Sequence, residues 1–374
     1  MHTQDLIAAF EKFAPEYLAN DWDNVGLLIG SGTWPADKIL LTIDLTEAVM
    51  QEAIDTQIDA IVSYHPPIFD ALKTVTDATF KERVVLDAIS NHISIYSPHT
   101  SLDITTGGVN DWIVECLGGG DVRAIQPFGN LPPGEECKLI TFCPEDKVEE
   151  LRLALSTVGC GRIGQYEQCS FSSKGVGTFL GKEGTNPTHG EAGKLQKVME
   201  CKFEMVVSKS SLSLAIQAIR QFHPYEEPAL EVHELGERPR REIGVGRRIH
   251  LDKPMQLDEL ARKLKKHLGI GYVRVAPAAG KGDRVEVQTV GLCAGAGGSV
   301  CDLAIDDGCE VFITGEMTHH GVVAATARGC TVVLTGHTNS ERGYLPKLKE
   351  QLAALLPEAN ISLSKADAPL WTYF

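Results

Sequence analysis

The chain has 374 residues, of which 43% are hydrophobic and 23% charged, so it has the length for two or three domains and the composition of an ordinary globular protein. Its formal net charge of −15 argues against non-specific binding to nucleic acid or to an anionic membrane surface. Its ten cysteines include no CxxC pair, and many lie in apolar strands, so we expect free thiols in a cytoplasmic protein.

The first 24 residues are predicted to begin with an amphipathic helix. The apolar residues that recur there at helical spacing are Leu6, Ile7, Phe10 and Phe13. Acidic residues stand where a secretory signal peptide has a basic start, and no apolar run in the chain approaches the ~18 residues of a membrane span. The sequence therefore predicts a protein with no membrane association.

Two segments alternate predicted strands with predicted helices. Residues 38–104 do so from KILLTIDL to ISIYSPH, and residues 285–364 do so from VEVQTVGLC to ISLS. Strands that alternate with helices of about 10–15 residues indicate largely parallel α/β sheets. The sequence therefore predicts an α/β core with an N-terminal half, residues 1–131, and a C-terminal half, residues 244–374.

The stretch between these halves, residues 132–243, has a different pattern. It opens at PPG and closes at ERPRRE, and its strands and helices follow in the order β-α-β-β-α-β. Two helices of similar length in that order are typical of a ferredoxin-like fold. We therefore predict a ferredoxin-like α+β domain inserted into the core.

The two halves of the core repeat a short pattern at strand ends. SPHTSLD at 97–103 and TGHTNSE at 335–341 each follow a β-branched run and carry His-Thr, with an acid four places after the histidine. AIDTQIDAIVSYH, which ends at His65, also aligns without a gap on AIDDGCEVFITGE, which ends at Glu316. We interpret this repeat as two pseudo-symmetric α/β halves. The alternative is a chance match between two ordinary βαβ units.

The repeat brings metal-ligand side chains to the strand ends, where open α/β sheets bind their ligands. His65, His99 and His337 lie there, and Asp103 and Glu341 follow the last two histidines by four residues. Histidines mixed with carboxylates predict a site for Zn, Mn or Fe, because Ca and Mg prefer oxygen ligands alone. Bridging carboxylates would hold two ions about 3.5–4 Å apart. The alternative is that hydrogen bonds satisfy each histidine as an ordinary strand terminus.

Three further features have two interpretations each. GAGGS at 295–299 is either a phosphate-binding turn at a helix start or a tight turn without a ligand. DWDNVG at 21–26 is either the rim of a pocket or a capped loop. His319 and His320 belong to the predicted helix after Glu316, and one of them is expected to face the pocket while the other lies on the surface. The candidate catalytic residues are His99, Glu316 and His320.

The motifs together resemble those of one family, the NIF-three-like proteins, which are also called GTP cyclohydrolase I type 2 homologues. The matching motifs, which span nearly the whole chain, are DWDNVGLLIG, SYHPPIF, SPHTSLD, VGLCAGAGGS, TGEMTHH and GHTNSERG. In the inserted domain, HPYEEPALEV is similar to a strand motif of the trimeric CutA/PII-like proteins. The insertion resembles the CutA-like domain of the longer bacterial members of the family.

The resemblance implies two interlocking α/β halves, a dinuclear metal site and a toroidal homohexamer. The metal ligands that it implies, motif by motif, are His65, Asp103, His337 and Glu341. It also implies that His99 stands beside the metals as a supporting or proton-transfer group. The family often has two adjacent histidines where this chain has Tyr64-His65. We therefore expect Tyr64 to be a poor ligand and one of the two metal positions to be only partly filled.

Two functions are compatible with the resemblance. One is a metal-dependent hydrolase that acts on a nucleotide, with GTP ring opening as the family's name suggests; an open metal position and a ring cavity favour it. The alternative is a non-catalytic regulatory or scaffold ring protein that binds metal for structure or sensing. The partner interaction in the family's name and the PII-like insertion favour this second function.

Overall fold

The structure, a computed structural model, describes residues 1–129, 131–132, 134–280, 282 and 285–371. These residues form two compact units. The first unit joins Met1–Phe128 to the described residues from Pro239 onward, and the second unit is Gly129–Arg238.

Strands and helices alternate along much of the first unit. The strands of the whole chain are β1 (Gly26–Ile29), β2 (Lys38–Thr42), β3 (Ala60–Ser63), β4 (Ser94–Ser97), β5 (Gly120–Pro127), β6 (Cys137–Cys143), β7 (Ser170–Leu180), β8 (Leu195–Val207), β9 (Leu230–Glu234), β10 (Gly244–Gln256), β11 (Arg274–Ala276), β12 (Glu286–Cys293), β13 (Val311–Thr314), β14 (Thr331–Leu334) and β15 (Asn360–Leu363). The α-helices are α1 (Thr3–Phe13), α2 (Glu47–Asp55), α3 (Phe80–Ser90), α4 (His99–Ile104), α5 (Val109–Glu115), α6 (Val148–Thr157), α7 (Leu212–Phe222), α8 (Leu257–Leu268), α9 (Cys301–Asp306), α10 (His319–Ala327) and α11 (Leu345–Leu355).

Two mixed sheets organise the first unit, which confirms the predicted α/β fold class. The five-stranded sheet has the order β1-β4-β3-β2-β15, in which β1 alone is antiparallel to its neighbour. The six-stranded sheet has the order β11-β14-β13-β12-β10-β5. Its strands β12, β13 and β14 are parallel, while β11, β10 and β5 pair antiparallel. The carboxyl ends of four adjacent parallel strands in the five-stranded sheet, and of three in the six-stranded sheet, therefore lie along one edge of each sheet.

The core of the first unit follows from the alternation of side chains along these strands. Ile39 and Leu41 of β2 contribute to a central apolar cluster, whereas Leu40 packs on the other face with α2 and α3. The six-stranded sheet behaves in the same way, since Val311 joins the central cluster and Phe312 packs with α9 and α10. Side chains of α1, α5, α8 and α11 complete the central cluster, so both sheets share one core.

The pairing of β5 with β10 is a feature that the sequence analysis missed. The two strands lie on either side of the second unit in the chain, and their antiparallel ladder begins where Gly244 faces Pro127. The β10 residue Arg247 is 1% exposed and donates hydrogen bonds to Asp111 and to four carbonyl oxygens, including those of Ile104 and Thr105. It therefore fixes the end of α4 against the six-stranded sheet.

The second unit contains β6, α6, β7, β8, α7 and β9, in that chain order. Its sheet has the order β7-β8-β6-β9, and each pair of neighbours is antiparallel. Leu151 and Leu155 of α6 and Ile219 of α7 pack on one face of this sheet, against Phe203 and Met205 of β8.

Two further observations concern the cysteines and the helices. All ten cysteines are free, and eight of them are buried. None of the helices in the described ranges combines the length and the apolar character that a bilayer crossing requires.

We expect the first unit to fold and to bind metal without the second unit. When a short Gly/Ser linker replaces residues 129–238, the β5–β10 ladder still closes, because Pro127 and Gly244 are already paired neighbours. Thermal unfolding followed by circular dichroism should remain cooperative, and zinc titration should give wild-type affinity. Failure of this shortened chain to fold, or loss of its zinc binding, would contradict the prediction.

Candidate metal centre

The candidate site is built at the carboxyl ends of the parallel strands. Strand β3 leads into Tyr64 and His65, whose backbone N–H groups still donate to the carbonyls of Thr42 and Ile43. Pro66 and Pro67 follow at once, so the chain leaves the sheet in an extended turn instead of a helix. His99 follows β4 as the first residue of α4, and His337 follows β14 just before a 3₁₀ turn.

Each of three histidines has its Nδ1 atom hydrogen-bonded to a carboxylate. The pairs are His65 with Asp44 at 2.8 Å, His99 with Asp23 at 2.7 Å, and His337 with Glu316 at 3.0 Å. An ionised carboxylate only accepts hydrogen bonds, so Nδ1 carries the proton in each ring. This arrangement leaves every Nε2 atom free to act as a ligand or a base, and it fixes the orientation of each ring.

Glu341 lies between two of these rings. Its side chain is 3% exposed, with Oε2 3.5 Å from Nε2 of His65 and Oε1 3.6 Å from Nε2 of His337. Neither Oε2 of Glu341 nor Nε2 of His65 has a hydrogen-bond partner, although both atoms are buried. One ligand atom from each of the three residues fits within 4.8 Å of the others. A buried carboxylate between two imidazoles fits a transition-metal cation, which would satisfy all three groups.

Asp103 and Tyr64 adjoin this group. The hydroxyl of Tyr64 donates a hydrogen bond of 2.5 Å to Oδ1 of Asp103. Burial raises the pKa of Asp103 to about 7, with a further contribution from the charge of Glu341, although the hydrogen bond from Tyr64 opposes the rise. Burial, followed by the charge of Asp103, raises the pKa of Tyr64 well above its usual value. Tyr64 is therefore a proton donor to Asp103, and its role as a ligand stays a prediction.

His99 stands next to the group without being part of the three-residue cluster. Its ring lies 5.5 Å from the ring of His65, and it has a φ of 29°, which is rare outside glycine. Strained backbone of this kind persists where surrounding contacts hold it, and here Asp23 does so.

The other two candidate catalytic residues differ in their position. Glu316 is half exposed and holds His337 through Nδ1, so it positions that ring. His320 is exposed on α10, and its ring contacts that of His319. Within the part of the chain that the structure describes, no hydrogen bond connects His320 to the cluster. Its catalytic role stays a prediction.

Asp23 and Asp44 are the site residues that the sequence analysis did not select. Asp44 follows β2 at the same sheet edge as His65, and an acid just after a buried strand was the available signal. Asp23 belongs to DWDNVG, and its 0% exposed side chain accepts hydrogen bonds from His99 and Thr100. In this turn Asp23 caps the backbone N–H of Thr100, and the interpretation of DWDNVG as a pocket rim stays a prediction.

GAGGS forms a tight turn against the metal-binding group. The N–H of Gly295 donates to the hydroxyl of Ser340, and the N–H of Gly297 donates to that of Thr314, so both donors are used internally. Gly295 has a φ of 60°, and a methyl group there would lie 2.6 Å from Oε1 of Glu341. The positive φ and the close approach to Glu341 account for this glycine, and phosphate binding at GAGGS stays a prediction.

A cavity of about 250 Å³ opens beside the cluster. Asp44, His65 and His337 line one part of it, and Leu370 and Trp371 line another. Asp367 anchors this last stretch of the described chain, because its carboxylate accepts hydrogen bonds from the N–H of Ile43 and from Arg342.

Comparison with known proteins gives a consistent result over the full chain. The family model for Duf34/NIF3 (NGG1p interacting factor 3) matches residues 1–369. The GTP cyclohydrolase 1 type 2 homolog of Halalkalibacterium halodurans is 35% identical, and the match covers 95% of this chain and 93% of that protein. NIF3-like protein 1 of Rattus norvegicus is 34% identical, with 98% and 91% covered. The crystal structure of a Bacillus cereus protein related to NIF3 has 31% identity and a TM-score of 0.70, with 100% and 99% covered.

Replacing Gly295 by alanine should weaken zinc binding. The added methyl group would displace the Glu341 carboxylate, and the positive φ would also cost about 1 kcal/mol of stability. Gly308→Ala is a matched control, because Gly308 also has a positive φ, of 79°, and no atom within 4 Å of the added methyl. Calorimetry should show lower zinc affinity in Gly295→Ala only, whereas both variants should lose stability. Equal zinc affinity in the two variants would be inconsistent with this packing.

Metal binding at neutral pH should release a proton from His65. Burial opposes the charged form of this ring, but the hydrogen bond to Asp44 and the nearby Glu341 raise its pKa to about 10. A ligand imidazole must be neutral, so zinc affinity should fall about tenfold for each pH unit below that pKa. Calorimetry in buffers of different ionisation enthalpy measures the released protons.

Asp44→Asn should reduce the proton release, since it removes the charge that favours imidazolium. Glu47→Gln, which alters an exposed carboxylate paired with Arg83, should leave the release unchanged. Heats of zinc binding that do not depend on the buffer would show that His65 is not the source of a proton.

Proposed function

Because this chain belongs to the Duf34/NIF3 family, we propose that His65, His337 and Glu341 bind a divalent transition-metal ion in a metal-dependent hydrolase that acts on a nucleotide. The observation that carries the proposal is the buried Glu341 carboxylate, which has one oxygen without a proton donor and an imidazole on either side. A buried carboxylate of this kind needs a compensating positive charge, which the protonated His65 ring supplies without metal and a bound cation would supply in its place.

The residues around the cluster have separate roles in this proposal. When bound, Zn, Mn or Fe would act as a Lewis acid and lower the pKa of a water molecule. Asp44 and Glu316 hold the rings of His65 and His337 through Nδ1, so that each Nε2 atom faces the site and can serve as a ligand once the ring is neutral. His99, held in the same tautomer by Asp23, can accept a proton at Nε2 and return it to a leaving group.

A second metal position is part of the proposal. Asp103 would supply it together with Glu341, because burial and then the nearby charge of Glu341 raise the pKa of the Asp103 carboxyl, which a second cation would offset. The hydrogen bond from Tyr64 competes for one oxygen of Asp103, and a phenol is a poor ligand at neutral pH. We therefore propose that this position is filled second and only in part.

The substrate class rests on the name of a relative. The protein of Halalkalibacterium halodurans is called a GTP cyclohydrolase 1 type 2 homolog, so a purine nucleotide is the first substrate to test. The alternative is a non-catalytic regulatory or scaffold protein. The family's description as an interacting factor favours it, because that name refers to a partner and not to a reaction.

We also propose a finer architecture. The arrangement β1-β4-β3-β2 in one sheet matches β11-β14-β13-β12 in the other, with the first strand of each antiparallel, which supports two pseudo-symmetric halves. In the second unit, the order β9-β6-β8-β7 supports a ferredoxin-like, CutA/PII-like insertion. Assembly into a toroidal homohexamer in the cytoplasm completes the proposal.

The hydrolase proposal predicts that metal content and turnover are lost together in His337→Ala. Loss of a metal ligand should cost more than the about 10–100-fold in affinity that loss of a supporting group costs. The measurement is elemental analysis of the purified protein, together with turnover of a panel of nucleotides and phosphoesters. His233→Ala, an exposed histidine of the second unit, is the control and should match wild type.

Two outcomes would contradict the proposal in different ways. Unchanged metal content in His337→Ala would remove this cluster as the metal site. Metal-loaded wild-type protein that turns over no member of the panel would favour the regulatory or scaffold function instead.

A further inference from the structure

Two aromatic side chains beside His99 are exposed although they contact each other. Trp22 is 61% exposed and Phe69 is 45% exposed, with ring centroids 6.0 Å apart at an angle of 50°. We call this pair the aromatic platform. Single exposed apolar residues are common on proteins, but an aromatic pair next to a polar cluster is typical of a ligand-binding surface.

The platform is held rigidly by polar contacts. The amide of Asn24 donates a hydrogen bond of 2.5 Å to the carbonyl of Ile68, which ties the turn of Trp22 to the segment of Phe69. Asp23, next to Trp22 in the chain, is fully buried and accepts hydrogen bonds from His99 and Thr100. The exposure of the two rings is therefore not the result of a loosely held loop.

The same contacts connect the platform to the candidate metal centre. The ring of Trp22 lies edge-on to the ring of His99 at 6.1 Å, and the ring of His99 lies 5.5 Å from that of His65. Asp23, which orients His99, is also the next residue in the chain after Trp22. A flat molecule stacked on the platform would thus have one edge beside His99 and the metal-binding group beyond it.

We infer that the aromatic platform binds the planar base of a nucleotide, whose phosphates then extend toward the metal-binding group. This inference rests on the proposed nucleotide hydrolase function and adds the residues that hold the base. The centre itself is rich in carboxylates, among them Asp44, Asp103 and Glu341, so it repels free phosphate unless a cation is bound. Stacking supplies binding energy that does not depend on charge, because every base has a π face.

The test compares GTP with inorganic triphosphate, which has the charge of the nucleotide tail and no base. Calorimetric titrations use the full-length, zinc-loaded protein. Removing a stacked ring should weaken GTP binding by about 5- to 150-fold. We therefore expect Trp22→Leu to lose GTP affinity by that factor and to keep the wild-type affinity for triphosphate.

Two further variants show whether weaker GTP binding comes from the loss of the ring or only from a loss of folding. Phe69→Leu should reproduce the loss in weaker form. Trp34→Leu makes the same chemical change at a tryptophan that packs on His92, away from the cluster, and should bind GTP as wild type does. Thermal unfolding of all variants checks that they fold.

The outcomes separate this inference from the function on which it rests. Wild-type GTP affinity in Trp22→Leu, or an equal loss for GTP and triphosphate, would overturn the platform and leave the nucleotide function standing. If wild-type protein binds no GTP, both fail. If GTP binds in a way that depends on Trp22 but is not turned over, the aromatic platform is supported and the hydrolase proposal is contradicted.

Discussion

The Glu341 carboxylate is buried with one oxygen that receives no proton donor, and the arrangement of the site follows from this. A buried carboxylate costs several kcal/mol unless an opposite charge compensates it. The protonated His65 ring does so when no metal is bound, and a metal cation would take over that role. The imidazoles of His65 and His337 approach it from two sides, yet both stop beyond hydrogen-bonding distance. The space between them has the ligand types and the charge that a transition-metal cation requires.

Arg247 shows how the same protein treats a buried charge that is purely structural. Its guanidinium is as deeply buried as Glu341, but it is paired with Asp111 and donates to four backbone carbonyls. These bonds hold the carboxyl end of α4, the helix that carries His99 and Asp103. Arg247 therefore holds α4 in place, and with it the surroundings in which Glu341 can bind an ion.

The sequence was most informative where the residues that define an element or a motif lie close together in the chain. Alternating strands and helices predicted the α/β fold, and histidines at strand ends predicted the group formed by His65, His337 and Glu341. Asp44 and Asp23 were missed, because motif spacing does not show which distant histidine a carboxylate meets in the fold. Asp44 is 21 residues from the histidine that it orients, and Asp23 is 76 residues from His99.

Two further failures of prediction have physical causes. The β5–β10 ladder joins strands separated by the whole second unit, and the charged residues of β10 concealed its apolar alternation. His319 and His320 are adjacent on a helix, so their side chains point about 100° apart, and motif spacing alone does not tell which face is buried. Both are exposed in the structure.

The β5–β10 ladder also has a consequence for the order in which the protein forms during synthesis. Strand β5 leaves the ribosome long before its partner, and the second unit is synthesised in full between them. Domains generally fold as units while the chain is still growing. The six-stranded sheet therefore closes only after the second unit has been synthesised, and His337 and Glu341 reach His65 later still. A nascent fragment that lacks β10–β14 thus has one of the three cluster residues, His65, and the fold postpones tight capture of a cation until the strands of the second half have been made.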